Sequence, residues 1–299
     1  MKTSFHSAGK LLITGEYAVL DGAYALAIPT RFGQSLSVKE NPSGRVDWKS
    51  FDVDQHCWLE ASYSVNTMEV LSEPSEESEN LRELLKLAQK LNPDFIKTCS
   101  GLEVETHLQF SRKWGLGSSS TLLNNIAQWA GIDPFQLLKN RFSGSGYDIA
   151  CAGSKQPILY RIKKEIPEIK PVEFNPPFKD NLYFVYLNKK QNSLSEVVNY
   201  KKNKPNQKLI DEISSLALPI AKAATLEEFE RLIQIHEFFV SKLIGQQPIQ
   251  QLLFSDFTGI IKSLGAWGGD FILVTGTENV VGYFNSKGYS TIIPFSKMI

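Results

Sequence analysis

The chain of 299 residues carries 32 Lys plus Arg against 32 Asp plus Glu, which argues against partners bound mainly by charge, such as nucleic acid or an anionic membrane. The 42% hydrophobic and 21% charged residues are typical of a globular protein long enough for two domains, and no apolar run approaches the ~20 residues of a membrane span. Three cysteines without a Cys-x-x-Cys pair and four histidines without metal-ligand spacing predict a cytoplasmic protein with reduced thiols and no zinc site.

The first part of the chain predicts short strands and turns. Residues 3–8 and the apolar run 11–13 are typical of strands, and a further strand is predicted at 34–39. Lys10, taken alone, is typical of a solvated lysine at a strand edge. Glu16 is different, because it lies in an apolar stretch where a carboxylate needs a partner.

A helix is predicted at 79–91 and a strand at 102–110, and the strand leads into a glycine- and serine-rich loop at 111–121. This loop opens a predicted helix that ends near Ala130. Unpaired N–H groups and the positive end of the helix dipole favour an anion such as phosphate there. The same residues also suit an ordinary capped helix, and the loop matches neither the P-loop nor the Rossmann pattern.

A second Gly/Ser turn, at 142–153, also opens a helix, with Asp148 in its first turn. The helix dipole favours an acid at this position, so the local pattern leaves a stabilising and a catalytic role equally open.

The second half predicts a domain boundary at 163–181 and helices interrupted by strands. His236 is interpreted as a core or surface histidine. Gly268 and Gly269 suggest that the backbone closely approaches another group. The predicted elements are a strand at 182–187, a helix from Ser193, helices at 207–221, 225–243 and 248–264, a strand at 271–275 and a strand pair within 282–293.

Three segments together resemble the motifs of the GHMP kinases, the family of galacto-, homoserine, mevalonate and phosphomevalonate kinases. They are Ala-Gly-Lys-Leu-Leu-Ile-Thr-Gly-Glu-Tyr-Ala-Val-Leu at 8–20, Gly-Leu-Gly-Ser-Ser-Ser at 115–120 and Gly-Ala-Trp-Gly-Gly-Asp at 265–270. Ser-Gly-Tyr-Asp at 145–148 resembles the segment that carries the family's catalytic aspartate. The Gly-Tyr-Asp-Ile-Ala run at 146–150 is similar to the mevalonate and phosphomevalonate branch.

The resemblance implies an α+β, two-domain GHMP kinase fold. Residues 1–175 would form the ATP-binding N-terminal domain, similar to domain 2 of ribosomal protein S5. Residues 176–299 would form a ferredoxin-like C-terminal domain.

The resemblance also implies an ATP- and Mg²⁺-dependent kinase in isoprenoid precursor synthesis. Its partner would be a small anionic substrate, mevalonate or phosphomevalonate, and the protein would be a monomer or homodimer. Asp148 and Lys10 would be catalytic, and Ser119 would bind the metal. The implied nucleotide-binding residues are Gly115, Leu116, Gly117, Ser118, Ser119, Gly265, Gly268 and Gly269. The implied substrate-binding residues are Glu16, Tyr17, Ser145 and Gly146.

Two positions depart from the family pattern. Mevalonate and homoserine kinases usually supply a second metal ligand, a glutamate, where this chain has Leu137, so Mg²⁺ would rely on Ser119, phosphates and water. Trp267 stands where the third motif usually has glycine. A catalytically inactive ligand sensor and a diphosphomevalonate decarboxylase, which shares the fold, are the alternatives.

Overall fold

The computed structural model describes residues 2–97, 99–139, 144–191, 193–202 and 206–299. At residues 193 and 194 it describes only the backbone. The chain divides into two compact units that interleave along the sequence. Unit 1 comprises Met1–Gly9, Phe32–Arg112 and Gly117–Ser143, and unit 2 comprises Lys10–Arg31, Lys113–Leu116 and Gly144–Ile299. The division into domains at residue 175 stays a prediction. Within the described ranges, no helix is long and apolar enough to cross a membrane.

Two long strands, β1 (Lys2–Leu12) and β2 (Ala25–Glu40), run through both units. The remaining elements of unit 1 are β3 (Arg45–Phe51), β4 (Cys57–Ser64), α1 (Glu76–Leu91), β5 (Leu102–Leu108), α2 (Ser118–Ala130) and α3 (Pro134–Lys139). The strand order is β4-β3-β5-β2; β3 and β5 are parallel, and the other neighbours are antiparallel.

The core of unit 1 follows from the alternation of its strands and the apolar faces of its helices. Trp48 on β3 and Tyr63 on β4 are fully buried. Their polar atoms are satisfied, because Trp48 Nε1 donates to Ser50 Oγ at 2.9 Å and the Tyr63 hydroxyl donates to the Ser78 carbonyl at 3.0 Å. Trp48 also packs against Trp129 of α2, at 6.5 Å between ring centroids, so this core positions α2 in unit 1.

Besides its parts of β1 and β2, unit 2 contains α4 (Tyr147–Ala152) and a meander. In the meander, the first half of β2 pairs with β6 (Ile158–Lys163) and β6 with β7 (Ile166–Pro171), all antiparallel. A second, antiparallel sheet has the order β11-β8-β10-β9. Its strands and the remaining helices are β8 (Leu182–Tyr186), α5 (Ser193–Lys201), α6 (Gln207–Lys222), α7 (Leu226–Ile244), α8 (Ile249–Leu253), β9 (Ile261–Ser263), β10 (Phe271–Thr275), α9 (Val280–Ser286), β11 (Ile292–Pro294) and α10 (Phe295–Met298).

The α+β class is confirmed, and so are the helices after both glycine-serine turns. The helix predicted at 248–264 is wrong. It ends at Leu253, and Ile261–Ser263 pairs with β10 instead. The predicted strand pair within 282–293 is also wrong, because the Asn279 side chain accepts the Gly282 N–H at 3.0 Å and caps helix α9. Only Ile292–Pro294 is extended there.

Candidate active site

We call the glycine- and serine-rich loop at 111–121 the phosphate-loop candidate. It passes from unit 2 into unit 1 between Leu116 and Gly117. In unit 2, the Trp114 ring packs edge-on against Phe271 at 5.6 Å between ring centroids. The Lys10 N–H donates to the Leu116 carbonyl at 2.9 Å. Strands β1 and β10 therefore fix the unit 2 half of the loop.

In unit 1, the loop becomes the start of α2. Gly117 takes a left-handed conformation with φ +89°, which glycine adopts without steric cost, and α2 begins at Ser118. Ser120 Oγ donates to the Gly117 carbonyl at 3.0 Å, and Thr121 Oγ1 donates to Gln34 Oε1 at 2.7 Å. The hydroxyls of Ser120 and Thr121 therefore hydrogen-bond within the protein, whereas Ser119 is exposed. The first N–H groups of α2 have no intrahelical acceptor, as at every helix start.

Lys10 is the central charge of the unit 2 half. Its ammonium donates to the Gly115 carbonyl at 2.8 Å and lies 5.5 Å from the centre of the Tyr147 ring. Burial by itself would lower the pKa of Lys10, but the neighbouring acidic groups Tyr147, Asp148 and Asp270 outweigh it and raise the pKa above its usual value. Lys10 is therefore charged, partly exposed and held against the loop.

Asp148 lies in the first turn of α4, as predicted, after Gly146 with φ +80°. Its Oδ1 accepts the Ile149 N–H at 3.1 Å, and its side chain is partly exposed. Ser145 is buried, and its carbonyl accepts the Tyr160 hydroxyl. The beginning of this turn, residues 142–143, lies outside the described residues. Within unit 2, the structure thus brings Lys10, Asp148 and Gly115 together.

The third glycine segment ends at Asp270, which sequence reasoning did not select as a site residue. Asp270 Oδ1 accepts the Gln191 N–H at 3.2 Å, and burial raises the pKa of its carboxyl above the usual value. A Cβ added to Gly115 would lie 2.4 Å from Asp270 Oδ2, so the carboxylate lies directly against the loop. The only sequence signal was an acid directly after Gly268 and Gly269.

Trp267 does not occupy this site. Its indole is 2% exposed and belongs to a hydrophobic cluster with Tyr17, Ile210, Ile213 and Val240. Gln191 Nε2 donates to the Trp267 carbonyl at 2.7 Å. The residue that replaces the usual glycine therefore packs into the core of unit 2.

Glu16 belongs to a second group of charges, which we call the Glu16 cluster: Glu16, His236, Glu237 and Lys262. All four side chains are buried, with Glu16, His236 and Lys262 at 0% exposure. Lys262 Nζ lies 2.5 Å from Glu16 Oε1 and 3.5 Å from Glu237 Oε2. The partner that the Glu16 carboxylate was expected to need is therefore Lys262.

The protonation of the Glu16 cluster follows from its burial. His236 Nε2 accepts the Gly15 N–H at 2.9 Å, which requires a neutral imidazole protonated at Nδ1. Burial and the Lys262 charge lower the pKa of His236 well below its usual value. Burial raises the pKa of Glu16 to about 7, against the opposing effect of the Lys262 ammonium, and also raises the pKa of Glu237.

The substrate contacts predicted for Glu16 and Tyr17 stay predictions. The side chain of Glu16 is fully buried. Tyr17 is 8% exposed, and its ring packs at a tilt against that of Tyr200, at 5.5 Å between ring centroids. Tyr17 itself has φ 60°, a conformation that a non-glycine residue adopts only under local constraint. Sequence reasoning missed Lys262 and Glu237, because neither belongs to a motif.

No known protein family and no curated protein matches the sequence at a significant level. Solved structures do match the fold. The Lin0012 protein of Listeria innocua superposes with a TM-score of 0.76 at 17% identity, covering 98% of this chain and 97% of that one. The mevalonate kinase of Methanococcus jannaschii superposes with a TM-score of 0.74 at 16% identity, covering 98% of this chain and 97% of that one. The phosphomevalonate kinase of Streptococcus pneumoniae, solved with phosphomevalonate and AMPPNP, gives 0.72 at 16% identity, with 95% of each chain covered.

Kinases with other acceptors share the same architecture. A galactokinase from Lactococcus lactis gives a TM-score of 0.68 at 13% identity, and a D-glycero-D-manno-heptose 1-phosphate kinase gives 0.67 at 14%. The fold match extends over nearly the whole chain in each case. The chain therefore has the fold of the GHMP kinases, the family that its three motifs resemble.

Proposed function

We propose that this chain is an ATP-dependent kinase that transfers the γ-phosphoryl group of ATP to a small anionic acceptor. The observation that carries the proposal is the arrangement around Lys10 in unit 2 of a GHMP kinase fold. The Lys10 ammonium is hydrogen-bonded to the loop carbonyl of Gly115, and two partly exposed carboxylates, Asp148 and Asp270, lie within its electrostatic reach.

In this reaction, Asp148 accepts the proton of the acceptor group or orients its oxygen for attack. Lys10 offsets the negative charge on the transferring phosphoryl group. A loose phosphoryl-transfer transition state requires little covalent chemistry from the protein, so positioning and electrostatic stabilisation account for most of the catalysis. A weak base such as a carboxylate is sufficient for that purpose.

In unit 2, we propose Gly115, Leu116 and the glycine loop that contains Gly265, Gly268 and Gly269 as backbone donors to the nucleotide phosphates. In unit 1, we propose the first N–H groups of α2, from Gly117 to Ser119, as a phosphate-binding helix start. The oxygen-rich donors fit Mg²⁺, because Ser119 presents an exposed hydroxyl and Mg²⁺ commonly keeps phosphate and water ligands. The buried Leu137 offers no ligand. When bound, the ion would neutralise phosphate charge.

Mevalonate and phosphomevalonate are the acceptors proposed first, because the Gly-Tyr-Asp-Ile-Ala run resembles that branch and both kinases share this fold. The match to a galactokinase makes a sugar acceptor the next class to test. A decarboxylase and a ligand sensor differ in outcome, since the first releases CO₂ and the second turns over no acceptor.

The test is a coupled ADP-release assay with mevalonate, phosphomevalonate, homoserine, galactose and a heptose 1-phosphate. CO₂ release is measured separately with diphosphomevalonate. We expect acceptor-dependent ADP release that Asp148→Asn slows by at least about 100-fold. ATP binding without turnover on any acceptor would favour the sensor. CO₂ release from diphosphomevalonate would favour the decarboxylase.

A further inference from the structure

Asp270 is held in an unusual and well-defined position. Its backbone has φ +52°, in the left-handed region where a non-glycine residue costs of order 1 kcal/mol. Its N–H donates to the Lys189 carbonyl at 2.7 Å, and its carbonyl accepts the Leu187 N–H at 2.8 Å. With the Gln191 N–H on Oδ1 at 3.2 Å, both the backbone and the side chain of Asp270 are fixed.

The fixed carboxylate points at the phosphate-loop candidate. Gly115 has φ +65°, and a Cβ built there would lie 2.4 Å from both Cγ and Oδ2 of Asp270. On the other side, Lys10 Nζ donates to the carbonyl of the same glycine at 2.8 Å. Gly115 is therefore contacted by an ammonium at its carbonyl and by a carboxylate at its Cα.

A carboxylate in this place is unfavourable for phosphate binding unless a cation lies between the two groups. Lys10 supplies one positive charge, and it already faces Asp148 and Asp270. A polyphosphate would add several negative charges to this group. Mg²⁺ in phosphate sites is typically bound by one or two carboxylates together with phosphate oxygens and water. Asp270 lies in the same unit as Gly115 and Lys10 and is one such carboxylate.

We infer that Asp270 is a carboxylate ligand, direct or through water, of the divalent cation that accompanies the nucleotide. This inference rests on the proposed kinase function. It places a carboxylate donor for the cation in the third glycine segment.

The experiment compares nucleotide binding with and without metal in the wild type and in Asp270→Asn, by calorimetry with AMPPNP in EDTA and in excess Mn²⁺. Bound Mn²⁺ is also counted by electron paramagnetic resonance. We expect Asp270→Asn to weaken binding of the Mn²⁺ complex by at least about tenfold, the size of loss typical when a metal-site partner is removed. Metal-free AMPPNP should bind Asp270→Asn as well as the wild type, or better, since a negative charge is gone.

Asp256→Asn is the matched control. Asp256 is an exposed carboxylate paired with Lys287 at 2.9 Å, and its loss should alter neither affinity. Asp270→Glu keeps the charge and should retain more Mn²⁺ than Asp270→Asn if both are folded by circular dichroism. Equal changes of the metal-free and Mn²⁺-bound affinities in Asp270→Asn would overturn the inference and make Asp270 only a counter-charge to Lys10. Failure of the wild type to bind nucleotide under either condition would overturn the kinase proposal as well.

Discussion

Unit 2 contains two groups of charges in opposite surroundings. Each has one lysine and two carboxylates, Lys10 with Asp148 and Asp270, and Lys262 with Glu16 and Glu237. The second group also contains the neutral imidazole of His236. The Lys10 group is partly exposed, and its ammonium donates to the carbonyl of Gly115. The Glu16 cluster is buried, and its ammonium lies directly on a carboxylate oxygen at 2.5 Å.

The difference shows what makes a charged group available for chemistry. In the Lys10 group, each carboxylate accepts one backbone N–H through Oδ1. In the Glu16 cluster, Lys262 is shared between two acids, and Ser263 donates to Glu237 Oε1 through both its N–H and its hydroxyl, at 3.0 and 2.7 Å. We therefore expect substitutions in the Glu16 cluster to lower stability and substitutions in the Lys10 group to lower the rate of phosphoryl transfer.

The largest expected effect is on stability, in Lys262→Met. Removing the ammonium leaves Glu16 and Glu237 buried without a cation, which typically costs about 3–5 kcal/mol. Urea denaturation followed by circular dichroism measures the free energy of unfolding. The double variant Lys262→Met/Glu16→Gln should recover part of this loss, because the amide at position 16 is neutral and only Glu237 then lacks its cation. An unchanged midpoint in the single variant would mean that the pair contributes nothing to folding.

The next effect is on rate, in Asp148→Asn and Lys10→Met. Each should lower kcat by at least about 100-fold, which corresponds to about 2.7 kcal/mol, since each removes a group proposed to act on the transferring phosphoryl. Both side chains are partly exposed, so the unfolding midpoint should change little. Lys39→Met removes a surface lysine whose side chain is 64% exposed and serves as the control for charge. Near-normal turnover in either site variant would remove that residue from the mechanism.

The Lys10 group could largely be predicted from the sequence, whereas the Glu16 cluster could not. Lys10, Gly115 and Asp148 lie in short motifs whose local structure follows from glycines, strand ends and helix starts, and they lie near one another in unit 2. Their roles stay predictions. Lys262 and Glu16 are 246 residues apart, and no local pattern links them. Asp270 was visible only as an acid after two glycines, because its meaning depends on a contact with Gly115 across the fold.

The wrong secondary-structure predictions have a related cause. The segment 248–264 has apolar residues at spacings that suit a helix, yet its last residues form an edge strand because β10 offers them a partner. There Gln250 Oε1 accepts the Ile261 N–H at 2.9 Å, and Gln250 Nε2 donates to the Gly259 carbonyl at 2.9 Å. Tertiary pairing thus overrides a weak helical periodicity.

A smaller effect is expected from adding a side chain to the phosphate loop. Its size distinguishes the strain of a left-handed backbone from a collision with Asp270. Gly115 and Gly131 both have φ +65°, but a Cβ at Gly115 would collide with the carboxylate, whereas one at Gly131 would meet nothing within 4 Å. Both alanine variants should lose about 1 kcal/mol of stability from the left-handed conformation. Gly115→Ala should lose a further ~1–3 kcal/mol, as overpacked sites do, in stability or in nucleotide affinity. Equal behaviour of the two variants in denaturation and calorimetry would contradict the contact.

The smallest effect is the pH dependence of the Glu16 cluster, where the free energy of unfolding should fall as pH rises. The folded pKa of Glu16 is about 7, against an ordinary value of 4.5, so between these values the unfolded state releases its proton while the folded state keeps it. Glu237 acts in the same direction. His236 has the opposite effect on the free energy of unfolding. Its folded pKa is lowered, so its contribution to stability is lost as pH falls.

Comparing wild type with Glu16→Gln at pH 5.5 and pH 8 isolates the contribution of Glu16, since His236 and Glu237 are present in both proteins. The amide cannot ionise, so Glu16→Gln should gain of order 1 kcal/mol relative to wild type between these two pH values. Glu60→Gln, at a side chain that is 68% exposed, should show no such gain. A constant difference between wild type and Glu16→Gln would show that Glu16 stays ionised beside Lys262 throughout. The buried cluster would then be a permanent ion pair that holds no exchangeable proton.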